Sequence, residues 1–261
     1  MSADGRYEFD VDDGAVLEAR VDAGSIEIRN GNAGRITLSA SGGDDDWEVE
    51  GSSSGVSIRP VKRWRARSAR VVVDVPSGTR VEVKSASATV RLAGTFGETS
   101  LKSASGDLLI GTHASISAAT ASGDVRVESV VADASMTTAS GDVEIGHVGG
   151  RLAVTTASGD VRVAAVDGDL RVGTTSGDVR IDRSNGSDIA VKSVSGDVTL
   201  GLPSGIRVEP DLTTLSGRTK LPVPARPQPP GEQPPANRSE RRTVTVNVRT
   251  VSGDITITRA D

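Results

Sequence analysis

Ser-Gly-Asp occurs seven times in 261 residues, beginning at Ser105, Ser122, Ser140, Ser158, Ser176, Ser195 and Ser252. The first six are spaced by 17, 18, 18, 18 and 19 residues. Two worn copies keep the rhythm. Ser87-Ala88-Thr89 lies 18 residues before the first, and Ser216-Gly217-Arg218 lies 36 residues, two periods, before Ser252. A period this short, with no helical pattern, specifies a stack of coils in which each repeat buries its apolar face only against its neighbours.

Residues 152–170 show how one coil is built. Leu152, Val154, Thr156 and Ser158 alternate with Ala153, Thr155 and Ala157, the period of a strand with one face inward. Gly159-Asp160 turns the chain, Val161-Arg162-Val163 resumes the alternation, and Asp167-Gly168-Asp169 makes a second corner. Stacking the copies turns positions into columns. Val125, Val143, Val161 and Val179 follow the Asp, and Val127, Ile145, Val163 and Ile181 come two residues later; both columns point inward. Between them Arg126, Glu144, Arg162 and Arg180 point outward, a charge ladder at the roughly 4.8 Å spacing of neighbouring strands. Thr120, Thr138, Thr156, Thr174 and their equivalents form an inward hydroxyl column, whose expected partner is its own copy in the next coil. Identical corners recurring once per two strands favour parallel coils over a meander of hairpins. The predicted fold is all-β: a single-domain parallel β-solenoid with coils of about 18 residues and two short strands each.

With five aromatic residues in the whole chain, the core of such a stack is thin and aliphatic. There is no cysteine, so disulfides and thiol chemistry are excluded. A net charge of −5 is too mild to argue for nucleic acid. No apolar run is long enough for a transmembrane helix, and the first residues lack the basic-then-apolar order of a secretory signal. The expected location is therefore the cytoplasm.

Residues 1–80 carry the pattern weakly and are assigned to an N-terminal β region and solenoid cap, since open sheet edges need atypical ends. Ala23-Gly24-Ser25 resembles a worn corner there. Residues 81–261 form the repeat solenoid. A Pro-rich insertion at 222–240 reads as an extended surface loop, because proline cannot sit in a central strand. Thr243 to Thr258 is expected to return as the last coil.

Each candidate site has a plainer structural explanation. Stacked carboxylates at Asp124, Asp142, Asp160 and Asp178 are calcium candidates, but the favoured role is for each to accept backbone N–H groups of its own turn. Gly51-Ser52-Ser53-Ser54-Gly55 matches a hydrolase nucleophile elbow in letters, yet the strand-like Val56-Ser57-Ile58 follows where a helix is required. His113 and His147 occupy different repeat positions, which argues against a shared acid–base or zinc site. Arg59, Lys62, Arg63, Trp64, Arg65 and Arg67 form a basic run that can meet an acidic partner or simply lie solvated. No catalytic residue and no cofactor motif stands out.

The unit Val154-Thr155-Thr156-Ala157-Ser158-Gly159-Asp160-Val161-Arg162-Val163, with Val75-Pro76-Ser77-Gly78 ahead of the repeats, resembles the bacterial putative-adhesin family of β-strand-repeat proteins. The likeness runs from about Val71 to the C-terminus. It implies a β-solenoid without known catalytic residues. The favoured function is a non-enzymatic interaction or assembly scaffold, with a protein partner or self-association through the solenoid ends. The alternative is an exported adhesin that binds carbohydrate or matrix. A β-helix enzyme would need acids that break the repeat, and the acids here belong to it.

Overall fold

The structure, a computed structural model, describes residues 4–41, 46–61, 69–221 and 242–260. Its regular elements are β-strands. Leu152–Ser158 lies parallel between Ala134–Ser140 and Leu170–Ser176, with Ser140, Ser158 and Ser176 in register. After the Gly159-Asp160 corner, Val161–Val166 lies parallel between Val143–Val148 and Val179–Ser184. Strands preceding each Ser-Gly-Asp thus form one sheet, and strands following it form a second. Leu152 and Val154 from the first sheet meet Val161, Val163 and Val166 from the second in one buried core. The predicted parallel β-solenoid is the fold, and β-branched columns hold it because they pack on a pleated surface with little rotamer entropy to lose.

The uneven spacing has local causes. In the 17-residue coil only Ala114 and Ser115 separate His113 from Ile116, whereas Val131 to Asp133 separate the matching Val130 and Ala134. The short corner lets Leu108–Ser122 run through as one bent strand. The 19-residue coil places its extra residue between Ser184 and Ile189. Thr89–Ser105 carries a bulge at Ala93-Gly94, where Ile110 faces Leu92 but Thr112 faces Thr95. Asn30 holds that bulge, accepting the Thr95 N–H at 2.6 Å and donating Nδ2 to the Thr95 carbonyl at 3.1 Å.

At both ends the order in the stack departs from the order in the sequence. Asp188–Lys192 and Val198–Pro203 pair with Thr243–Ser252 and Ile255–Ala260, and Arg207–Ser216 with Thr219–Lys220 lies outside those. The expectation that Thr243 to Thr258 forms the last coil is therefore corrected: it is last in the chain but wedged between two others. The physical reason is apolarity. Val244, Val246, Val248, Ile255 and Ile257 make a complete inward set and are buried on both sides. The coil it displaces offers Pro210 and Thr214 inward and carries Arg218 and Lys220, so it tolerates the end better.

The N-terminal end mirrors this. Val16–Val21 and Gly24–Asn30 sit between the coil of Gly55–Pro60 with Ala69–Val75 and the coil that begins at Arg80–Ser85. The outer coil is then covered by antiparallel strands. Arg35–Ser41 pairs with Ala69–Val75, Asp4–Asp10 pairs with Arg35–Ser41, and Trp47–Ser52 pairs with Gly55–Pro60. Trp47 is buried there with Nε1 donating to the Ser41 carbonyl at 3.1 Å, and Tyr7 and Phe9 pack onto the core. Of residues 1–80, these antiparallel strands stand outside the parallel stack, while Val16–Val21, Gly24–Asn30, Gly55–Pro60 and Ala69–Val75 belong to it. The Pro-rich stretch at 222–240 lies outside the described residues.

Candidate functional site

At each corner the glycine is dictated twice. Gly159 has φ of 129°, and a Cβ built on it would overlap the carbonyl oxygen of Gly141 one coil away. The aspartates then link coil to coil. Asp124 N–H donates to Asp107 Oδ1 at 3.1 Å, Asp142 N–H to Asp124 at 3.1 Å, Asp160 N–H to Asp142 at 2.9 Å and Asp178 N–H to Asp160 at 3.0 Å. The chain of bonds crosses the rearranged end, running from Asp178 to Asp197, Asp254 and the Arg218 N–H, each at 2.8 Å. Each carboxylate therefore serves the following coil in the stack and not its own turn, which corrects the expected capping. Oδ1 of the calcium candidates Asp124, Asp142, Asp160 and Asp178 is occupied in this way. Asp124 and Asp160 also hold Arg126 and Arg162 through Oδ2, at 3.3 and 2.6 Å. Among the described residues no three His, Cys, Asp or Glu side chains cluster as a metal site.

The hydroxyl column is also local. Thr138, Thr156 and Thr174 donate to the carbonyls of Ser140, Ser158 and Ser176 at 3.2 Å, within their own coil and not to their copies as expected. The Ser158 carbonyl accepts the Gly141 N–H as well, so one acceptor ties strand, corner and neighbour. Where serine takes the threonine position, at Ser103 and Ser193, the buried hydroxyl makes no hydrogen bond. Losing the branched methyl frees the rotor that fixes the donor's aim.

The other candidates do not converge. His113 is buried, stacks on Phe96 with ring centroids 5.1 Å apart, and meets Thr99 Oγ1 through Nδ1 at 2.7 Å. Burial holds its imidazole down to about 4. His147 is on the surface, with Nε2 2.9 Å from Asp167 Oδ2. The Ser52–Ser54 segment closes an antiparallel hairpin between two strands, so the nucleophile-elbow geometry is absent there. Arg59 makes two bonds to Glu48, at 2.8 and 2.9 Å, and this hydrogen bonding and charge hold the Glu48 carboxyl below its ordinary range. Lys62, Arg63, Trp64, Arg65 and Arg67 lie outside the described residues.

The feature that sequence reasoning missed is a groove of about 520 Å³ along the outer face of the second sheet. It crosses successive coils from Arg91 to Asp182. One wall is the column Arg91, Leu109, Arg126, Glu144, Arg162 and Arg180; beside it run Ala93, Gly111, Glu128, Gly146, Ala164 and Asp182. The signal was a break in period. Val143, Ile145 and Val148 are buried, so Gly146 and His147 both turn outward, and small residues recur at the break. The predicted charge ladder is half realised. Arg126 reaches Glu144 at 3.4 Å, but Arg162 turns to Asp160 and, at 3.8 Å, to Asp142. Arg180 pairs with Asp182 at 2.8 Å, and Arg91 makes no ion pair among the described residues.

A profile of the family described as Toastrack DUF4097 matches residues 17–258. Similar solved structures include a putative lipid binding protein from Parabacteroides distasonis, with 11% identity over 97% of this chain and 96% of that one and a TM-score of 0.45. A putative adhesin from the same organism gives 10% identity, 98% and 96% coverage and a TM-score of 0.37. A putative adhesin from Bacteroides fragilis gives 11%, 97% and 96%, and 0.35. No curated protein matches the chain.

Proposed function

Because the chain belongs to the Toastrack DUF4097 family, a family of unknown function, we propose its role from the geometry: a non-enzymatic scaffold that holds an extended partner across its coils. The observation that carries this reading is the groove on the second sheet. Its length follows from the repeat, since the five steps between the coils of Arg91 and Arg180 span about 24 Å at about 4.8 Å per strand. Its lining is mixed. Arg91, Arg126, Glu144, Arg162 and Arg180 stand in one column, and beside it Glu128 and Asp182 are interspersed with the small residues Ala93, Gly111, Gly146 and Ala164. Such a surface suits a chain with polar groups of both signs, held by many small contacts. Most of its charges are already paired within the protein and sit at fixed positions, which favours positioning over chemistry.

The test compares wild type with Arg91→Glu/Leu109→Glu in affinity capture followed by quantitative mass spectrometry. A partner retained by wild type and lost from the variant, at equal thermal stability, supports the groove. Identical recovery on both would overturn it.

A further inference from the structure

We propose that the C-terminal end of the stack is the interface of a two-fold dimer with a second copy of this chain. This interface is separate from the groove and follows from a difference between the two ends. The N-terminal end is covered by antiparallel strands and Trp47. At the other end, Arg207–Ser216 has no further strand beside it among the described residues. Its core-facing Val208 and Leu212 are only partly buried. Val208, with Leu202, Ile206, Leu221 and Ile257, lines an apolar cavity of about 280 Å³ at the end. Exposed large apolar side chains gather here as well. Val194, Val251 and Leu215, 49%, 45% and 80% exposed, precede serines that pair across neighbouring coils and so form one ridge; Leu221 is 48% exposed. A patch of this kind marks an interaction surface.

Three observations favour a second copy in a closed pair. The first is Pro210. The Arg207 N–H donates inward to the Arg242 carbonyl, so residues 208, 210 and 212 direct their amide positions to the free edge, and at 210 there is no N–H. An added strand would leave a carbonyl unmatched, so the stack does not continue as another coil and the contact is made by side chains. The second is the N-terminal end, where the described residues cover the outer coil with antiparallel strands and offer no matching apolar cavity for head-to-tail growth. Only the same end of another copy does, and that contact is isologous. The third is size. A ten-residue strand is about 33 Å long and the two-sheet end about 20 Å wide, giving roughly 600 Å² per copy, at the low edge of specific interfaces. The dimer is therefore weak and dissociates on dilution.

Sedimentation velocity of the full chain over a wide concentration range tests this. The expected result is a single monomer–dimer equilibrium that levels off at twice the monomer mass. Leu215→Glu/Leu221→Glu should remain monomeric at every concentration, while Val131→Glu, on an exposed mid-stack corner, should dimerise as wild type does. The chain has no cysteine, so single thiols map the contact without background. With diamide as oxidant, Leu221→Cys should form a disulfide-linked dimer at least tenfold faster than Val131→Cys. This second readout decides the matter should the double variant lose its fold. A monomer at all concentrations, growth beyond the dimer, or equal cross-linking of the two cysteine variants would each overturn the proposal. An Arg91→Glu/Leu109→Glu protein that still dimerises keeps this result separate from the groove.

Discussion

Threonine and serine at one repeat position behave differently because a methyl group decides where the hydroxyl aims. Thr156 reaches the Ser158 carbonyl, while Ser193 Oγ is buried and unpaired. Ser193→Thr should raise unfolding free energy in urea by about 1 kcal/mol, from one recovered hydrogen bond and one buried methyl; a loss would show that the site has no room for it. His113 gives a second residue-scale prediction. Its imidazole titrates near 6.5 when unfolded and at about 4 when folded. Between those values the unfolded chain binds the proton more readily, so stability is full above about pH 6.5 and declines as pH falls towards 4. Integrated, the loss is about 3 kcal/mol. His113→Val, matching Val130 in the next coil, should flatten that slope in urea titrations from pH 4 to 7. The histidine's position was plain in the sequence. Its burial was not, because it follows from the break in alternation that turns residue 113 inward.

At the scale of the corner, glycine and aspartate do separate work. The glycine permits the close approach of backbones, and the aspartate turns a row of like charges into a hydrogen-bonded ladder. Gly159→Ala should cost at least about 2 kcal/mol, from the left-handed backbone and the overlap with Gly141. Asp160→Asn should cost less, about 1 kcal/mol, since an amide oxygen still accepts the Asp178 N–H but the charge assistance is lost. Thermal unfolding of both variants ranks the two effects, and an equal cost would contradict the division of labour. Melting in calcium and in chelator should coincide for wild type, because one oxygen of each candidate carboxylate already accepts an amide. The repeat and its inward columns were legible because every coil restates them. The direction of each hydrogen bond was not, since one sequence pattern fits both a bond within the turn and a bond to the next coil.

For the molecule as a whole, the rearranged ends are the main consequence of stacking. Thr243–Ser252 is close to the C-terminus yet has a strand on each side, whereas Arg207–Ser216 has one among the described residues. Hydrogen exchange should therefore show amides of Val244, Val246 and Val248 protected like those of mid-stack strands, and amides of Val208, Leu212 and Thr214 exchanging fast at the free edge. The reverse order would mean that the coils stack in sequence order after all. What the sequence determined by itself was local and repeated: two strands per coil, parallel stacking, glycine at the corner and an aliphatic core, each fixed by the alternation and period of neighbouring residues. What only the tertiary structure decided was which coil lies beside which at the ends, which way the carboxylates point and where the outer face is grooved. Those depend on comparing the burial of residues far apart in the chain, and a repeat with interchangeable registers leaves that comparison to the packed molecule.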